Sequence, residues 1–548
     1  MGFSLDQVTV TYNAEPVFKN LSWEIHKDRC VGLIGINGSG KSTLLRLISG
    51  ELTTETGYAN MRGKLTIGYL PQEPRFSPEH TLLQEALTAH TRLFELERSL
   101  AEVEEQMGQP EVYGDEKRLS RKLEEHAALL DEHTRIGGPG YQGQVRSTLL
   151  NLGFAEHELD LPVANLSGGQ KKLLGLTKLL VTRPDILLLD EPDNHLDMAG
   201  KEFLEQYIRS YPGGVVLISH DRFMLDVVAD EIAELRDGKV TVYEGNYSEY
   251  VALKEAKLLE QQRQFKVQQN EIGRLEQSAK RMLIWGRSHE NEKLIRRAKS
   301  MMKRIEKMDK VEKPKADPRA MNLQFKGWRG SNKVLELTEV AKGFDGPGGW
   351  NQVLDGLDLT LWHGERVGLV GPNGAGKSVL FRLLLGREQP EAGEIKVGPS
   401  IQTGYYAQEH ETLDHSMSLM ETVRRAANLS EANAVKLLDK FVYEYQRMNN
   451  PVGTLSGGER SRLQLILIML SGANFLLLDE PTNNLDIRSA EVLEDSLAEF
   501  EGSMLAISHD RYFLDRVATR IVELEDGKLV EYPGGYSDYQ AAKAKLEI

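Results

Sequence analysis

The sequence has a single cysteine, Cys30, in 548 residues. One thiol excludes an intramolecular disulfide framework and any multi-cysteine zinc or iron–sulfur site. Runs of about 18 apolar residues, the length that crosses a bilayer, are also missing. The richest stretch, Leu463 to Leu470, is far shorter. The opening MGFSLDQVTVTYNAEP has neither a basic nor an apolar leader segment and does not read as a signal peptide. Positive charge is in deficit: 67 basic against 82 acidic residues leave a net charge of −15. That balance argues against a protein that coats nucleic acid over its whole surface. What remains is ordinary, with 40% hydrophobic and 27% charged residues and a mean hydropathy of −0.40. Such a chain has apolar side chains for several cores. At about 150 residues per domain its length suggests three to four domains, and the features together point to the cytoplasm.

An internal repeat organises the chain. GINGSGKS (Gly35 to Ser42) returns as GPNGAGKS (Gly371 to Ser378), and GYLPQE around Gln72 returns as GYYAQE around Gln408. LSGGQ (Leu166 to Gln170) returns as LSGGE (Leu455 to Glu459). ILLLDEPDNHLD, with Asp190 and Glu191, returns as FLLLDEPTNNLD, with Asp479 and Glu480, and ISHDRFMLD returns as ISHDRYFLD. The first two pairs are offset by 336 residues and the later ones by 289, so the first repeat carries 47 extra residues. Residues 88–135 fit that insertion as two helical stretches around a GQPEVYG turn, with a charge of −5 that suits a protruding arm. Residues 1–245 and 331–548 are thus the expected repeat domains, separated by a linker over 246–330.

The linker reverses the charge of the rest. Between Ala252 and Lys315 stand 18 basic and 9 acidic residues, a local +9; subtracting it from −15 leaves −24 elsewhere. Val251, Leu258, Phe265, Ile272 and Ala279 recur every seven residues, and Leu294, Ala298, Met301, Ile305 and Met308 at spacings of four and three. Two apolar seams around WGRSHEN (Trp285 to Asn291) predict an antiparallel coiled hairpin. About 30 residues per helix at about 1.5 Å each give a projection of roughly 45 Å. Arg281, Arg287, Lys293, Arg296, Arg297 and Lys299 are candidate RNA contacts, and Trp285 could stack on a base. A plain solvated face is the competing account of the charges, and packing inside the hairpin that of Trp285.

The repeated motifs carry the chemistry. Gly-x-x-x-x-Gly-Lys-Ser, after an apolar strand and before a helix, is a phosphate cradle. In the first copy Gly35, Asn37, Gly38, Ser39, Gly40 and Thr43 surround the phosphates; Gly371, Asn373, Gly374, Ala375, Gly376 and Val379 are their counterparts. Lys41 and Lys377 add point charges, and Ser42 and Ser378 offer hydroxyls to Mg²⁺. Asp190 and Asp479 end apolar strands and suit the Mg²⁺ shell, while Glu191 and Glu480 suit polarising the attacking water.

This motif set resembles the ATP-binding cassette superfamily over both repeats almost end to end. The resemblance implies an α/β fold of two P-loop cassettes with ATP and Mg²⁺ as cofactors. It implies that Ser167, Gly168, Gly169 and Gln170, and Ser456, Gly457, Gly458 and Glu459, are signature loops facing nucleotide bound by the other cassette. Gln72 and Gln408 would be Q-loop residues that join Mg²⁺, and His220 and His509 switch histidines at the γ-phosphate. Asp197 and Asp486 match the D-loop, and Tyr12 and Phe344 the aromatic that stacks on adenine. Two complete motif sets in one chain predict a monomer with intramolecular pairing, Lys41 acting with Ser456 and Lys377 with Ser167.

Two fused cassettes, no membrane domain, an insertion in the first and a basic linker look like the ABC-F family. That likeness implies an ATPase bound at the ribosomal E site, its hairpin reaching 23S rRNA and the P-site tRNA. Members act as translation factors or protect ribosomes from antibiotics. A tandem ATPase subunit of an importer has no need of a +9 hairpin. Zinc-bearing DNA-repair cassettes need cysteines this chain lacks. Two departures stand out: Asp193 where the second copy has Thr482, and Val379 where the first has Thr43.

Overall fold

A computed structural model describes the chain except residues 1, 13–14, 62–64, 72–73, 75, 195, 290, 309–320, 322, 326–327, 347–348, 408–412 and 547–548. It forms two compact units. One comprises residues 1–242 and 320–548 and holds both repeats; the other is the linker, Tyr243–Arg319.

In the first repeat a six-stranded sheet runs in the order Ile67–Leu70, Ile186–Asp190, Gly214–Ile218, Cys30–Ile34, Glu231–Arg236, Lys239–Glu244. The second repeats that order with Thr403–Tyr406, Phe475–Asp479, Ser503–Ile507, Arg366–Val370, Arg520–Glu525 and Lys528–Pro533. Cys30–Ile34, Ile186–Asp190, Gly214–Ile218, Phe475–Asp479 and Ser503–Ile507 are buried at every residue. Unbroken apolar runs of this kind are what a parallel sheet covered on both faces demands. Parallel pairing brings the carboxyl ends of the strands at 30–34, 186–190 and 214–218 side by side. The phosphate cradle, the Asp-Glu pair and the Ser-His pair follow those three ends, so the topology alone gathers them on one sheet edge. Each repeat adds a three-stranded antiparallel sheet, centred on Phe3–Tyr12 in the first and on Lys333–Gly346 in the second.

The insertion is helical, as its periodicity predicts. Thr91–Met107 buries Leu93, Leu96, Leu100 and Val103, and Arg92 clamps Glu132 of the helix Glu116–Arg135 through two hydrogen bonds of 2.9 Å. The expected turn contains a short helix of its own, Pro110–Tyr113, which begins on a proline suited to a first helical position.

The linker unit corrects the expected hairpin dimensions. Its first helix is Tyr247–Ser288, 42 residues, about 63 Å long rather than 45; its second is Glu292–Glu306. Trp285 to Ser288 are therefore helical and do not belong to the turn. The cause is Gly286, one heptad beyond Ala279, which reads as a turn residue but sits buried in the seam. A Cβ there would meet Ile295 Cγ1 at 2.8 Å, so glycine lets the two helices approach closely. Ile272, Ala279, Ala298 and Ile305 are buried, and Val251, Leu258, Phe265, Leu294, Met301 and Met308 half-buried, along the anticipated seams.

Candidate functional site

Both phosphate cradles share one backbone device. Gly38 and Gly40 (φ 80° and 97°) and Gly374 and Gly376 (81° and 102°) are left-handed, a conformation glycine adopts without strain. The helices Lys41–Ile48 and Lys377–Leu384 start on these glycines without side-chain caps, leaving first-turn N–H groups for an anion. A Cβ at Gly40 would collide with Val17 Cγ1 at 2.7 Å and one at Gly376 with Val353 Cγ1 at the same distance. Lys41 Nζ donates to Gly35 O (2.8 Å) and Ile36 O (3.3 Å), and Lys377 Nζ to Gly371 O (2.6 Å) and Pro372 O (2.9 Å). Burial lowers both ammonium pKa values, opposed by Glu191, Asp486 and Asp190 around Lys41 and by Glu480, Asp197 and Asp479 around Lys377.

The residues suited to Mg²⁺ fit a cation that takes its other ligands from phosphate and water. Ser42 hydrogen-bonds Asp190, whose carboxyl is raised chiefly by burial, and Asp190 Oδ2 is buried without a hydrogen-bond partner. Among the described residues no group of three or more His, Cys, Asp or Glu forms a metal cage. Gln72 and Gln408 lie outside the described residues, and so does the side chain of Tyr12.

The two glutamates share a strained backbone. Glu191 (φ 51°) and Glu480 (φ 50°) are left-handed non-glycine residues, a feature that clusters at functional sites. Each is pinned by its N–H to the next strand, at Ile218 O and Ile507 O, both 2.9 Å. His220 Nε2 stands 3.4 Å from Glu191 Oε1, and Asn194 Nδ2 donates to Glu191 Oε2 at 2.8 Å. His509 Nε2 stands 3.6 Å from Glu480 Oε1, and the His509 N–H donates to Glu480 Oε2 at 3.2 Å. Their electrostatics differ. Burial pushes Glu191 up, but His220, Lys172 and Lys41 bring it down to about 2. Burial and the neighbouring Asp479 raise Glu480 to about 7 against the pull of Lys201 and Lys377. His509 is held well below 6.5 by burial and the same two cations.

The repeats face each other. Asn37 Nδ2 donates to Asn484 O at 3.3 Å, and a Cβ on the signature glycine Gly458 would lie 2.8 Å from Asn37 Nδ2. Reciprocally, the Asn373 N–H donates to Asp197 Oδ2 at 3.1 Å. Asp197 and Asp486 also cap their own helices, accepting from Gly200 N and Ser489 N. The signature serines form capping boxes, Ser167 with Gln170 and Ser456 with Glu459. A cavity of about 590 Å³ opens at Lys377, lined also by Ser378, Val379, Glu480, His509 and Phe344. Ser167 to Gln170 are absent from its lining, whereas Asp193 and Lys201 of the first repeat are present. The structure thus brings the second signature loop against the first cradle, but not the first signature loop into the cavity at the second. Lys342 lies 5.4 Å from the Phe344 ring.

Sequence reasoning misses the pairs that hold this face together. Arg222 makes a two-pronged ion pair with Glu494, and Arg511 with Glu205 at 2.9 and 3.3 Å, all four buried. Arg222 lies over the Tyr512 ring (4.9 Å) and Arg511 over Phe223 (4.4 Å). The pairs are related by the repeat: Arg222 and Arg511, like Glu205 and Glu494, stand 289 residues apart. That self-complementary offset was the available signal.

Comparisons with known proteins agree with this architecture. Two family profiles described as ABC transporter match, one at residues 18–194 and 354–483, the other at 233–325. The energy-dependent translational throttle protein EttA of Escherichia coli K12 is 34% identical over 96% of this chain and 93% of its own. The ABC transporter F family member 5 of Arabidopsis thaliana is 32% identical over 98% of this chain and 77% of its own. Among solved structures, an archaeal ribosome recycling factor, aABCE1, in complex with the ribosomal stalk protein aP1, aligns with a TM-score of 0.60 at 18% identity over 98% and 92% of the two chains. No described helix is long and apolar enough to cross a membrane. Two tandem ATP-binding cassettes separated by a helical linker, with full-length relatives of this kind, define the class: the chain belongs to the ABC-F family of ATP-binding cassette proteins.

Proposed function

We propose that this chain is a cytoplasmic, monomeric ATPase that binds the ribosome at its E site. Its hairpin reaches 23S rRNA and the P-site tRNA near the peptidyl-transferase centre, as a translation factor or an antibiotic-resistance ribosome-protection protein. ATP is held by the first-turn N–H groups and lysine of each cradle, and closure of the cassettes makes two composite sites. Mg²⁺, when bound through Ser42 with Asp190 and Ser378 with Asp479, supplies charge neutralisation at the phosphates. Glu191 and Glu480, fixed by their backbone bonds and beside His220 and His509, orient and polarise the attacking water.

One observation carries the reading. In an acidic chain with two intact ATP motif sets, the linker unit has Arg281, Arg287, Lys293, Arg296, Arg297 and Lys299 exposed, Arg296 pairing with Glu292 at 3.5 Å. Near the end of its long helix Ile284 and Trp285 are 67% and 66% exposed, the Trp285 ring stacked only on His289 at 5.3 Å among the ring contacts described. A cationic helical hairpin with an accessible indole suits a cavity walled by RNA. The test is co-sedimentation of the Glu191→Gln/Glu480→Gln chain with ribosomes, lipid vesicles or duplex DNA in ATP. Pelleting with ribosomes supports the reading; pelleting with vesicles or DNA alone overturns it.

A further inference from the structure

The two cassettes differ at buried charges that their repeat does not share, and one of them crosses between the cassettes. Lys201, on the helix after the first D-loop, is 6% exposed. Its Nζ donates to Asp221 Oδ2 at 2.8 Å and, across the cassette face, to the backbone oxygen of His509 at 2.8 Å. Asp193, also 6% exposed, faces the same ammonium, and its Oδ1 is buried without a hydrogen-bond partner. Both residues line the cavity at Lys377. Their counterparts at an offset of 289 are Thr482 and Ala490, so no equivalent cation reaches the carbonyl of His220. Asp193, where the second cassette has threonine, thus lies beside a cation: the first cassette holds aspartate and lysine where the second has threonine and alanine.

We propose that Lys201, held by Asp193 and Asp221, is a positioning residue for the second ATP site and makes the two sites unequal. The inference rests on reading Lys377, Glu480 and His509 as an ATP site. A backbone carbonyl gripped by an ammonium from the opposite cassette fixes the loop that carries the His509 imidazole, 3.6 Å from Glu480. The grip exists only while the cassettes face each other, so the second site is assembled by closure and released on opening. Asp221 and Asp510 also face Lys201 and keep it charged despite its burial. At the first site Asn37 meets Asn484, Gly458 and Asp486 of the other cassette, and among the described residues no lysine takes the place of Lys201 on its His220 loop.

The experiment measures ATP hydrolysis in two parents, Glu191→Gln, which leaves the second site working, and Glu480→Gln, which leaves the first. Asp193→Thr/Lys201→Ala, which installs the second cassette's pair, is added to each. Removing a geometric constraint on the catalytic loop is expected to lower kcat of the second site about tenfold or more, with KM changed less than threefold and Lys201→Arg restoring part of the rate. The first site should lose markedly less. If the first variant fails to fold, Lys201→Gln/Asp193→Asn keeps bulk and hydrogen bonding without charge and is read the same way. Equal losses at both sites, or none at either, overturn the proposal alone. Parents that hydrolyse ATP like the unmodified chain overturn the assignment of the glutamates and this proposal with it.

Discussion

Replacing Arg511 with alanine removes one of the two ion pairs on the cassette face and leaves Glu205, 6% exposed, without its cation. Breaking a buried pair from one side costs about 3–5 kcal/mol, because the remaining charge stays desolvated. Loss of the stack on Phe223, 4.4 Å away, adds about 0.5–2 kcal/mol. At about 1.4 kcal/mol per tenfold, the ratio of closed to open cassettes in ATP should fall at least a hundredfold. The Arg511→Met/Glu205→Leu chain removes both charges and should recover most of the loss, since apolar replacement of a buried pair is close to neutral. Energy transfer between dyes on cysteines introduced at Lys239 and Lys528, both exposed, reports closure. Cys30 does not interfere: it is buried, and burial with Asp230 nearby pushes its thiol pKa well up, so little reactive thiolate forms. A closed-to-open ratio that changes less than about threefold in Arg511→Ala, or a double variant as damaged as the single one, refutes the reasoning.

Glu191→Gln/Glu480→Gln keeps size and hydrogen bonding and removes the charge that polarises water; ATP turnover should fall about 10²–10⁴-fold with nucleotide binding retained. Undiminished turnover in a coupled phosphate assay contradicts the assignment. Ser167→Arg, in the loop proposed to pair with Lys377 when the cassettes close, should impair the second site and leave nucleotide occupancy at Lys41 largely intact. Equal failure of both sites in a site-resolved binding assay shows the pairing to be wrong.

The strand–cradle–helix order, the apolar runs ending in Asp-Glu and the helical insertion were legible because each is written in local pattern: glycine spacing, buried parallel strands, apolar periodicity. The hairpin was legible as a seam but not in length, because Gly286 looks like a helix breaker until its close neighbour Ile295 is seen. The short helix at Pro110 was hidden by the same turn-like composition. Lys201 was invisible for another reason. Its carbonyl partner at His509 is 308 residues away, and nothing in either local string marks an ammonium that crosses between cassettes. Arg222 and Arg511 stood in plain view two residues after His220 and His509, yet their roles depend on Glu494 and Glu205 from the opposite repeat. The left-handed backbone of Glu191 and Glu480 is likewise set by the strand beside them and not by their own residue type.

The proposed function has ATP-closed cassettes bring a cationic hairpin to RNA. Its most direct test is the ribosome affinity of the Glu191→Gln/Glu480→Gln chain in ATP, measured across salt concentrations, with and without Arg287→Glu, Arg296→Glu and Arg297→Glu. Each phosphate contact contributes about 0.7–0.9 to the slope of log affinity against log salt. The reversed hairpin should bind more weakly, with a slope shallower by about 2 to 3, while hydrolysis without ribosomes is retained when the same reversals are made in the unmodified chain. Unchanged affinity at every salt concentration would contradict the claim and return these arginines to a solvated helix face.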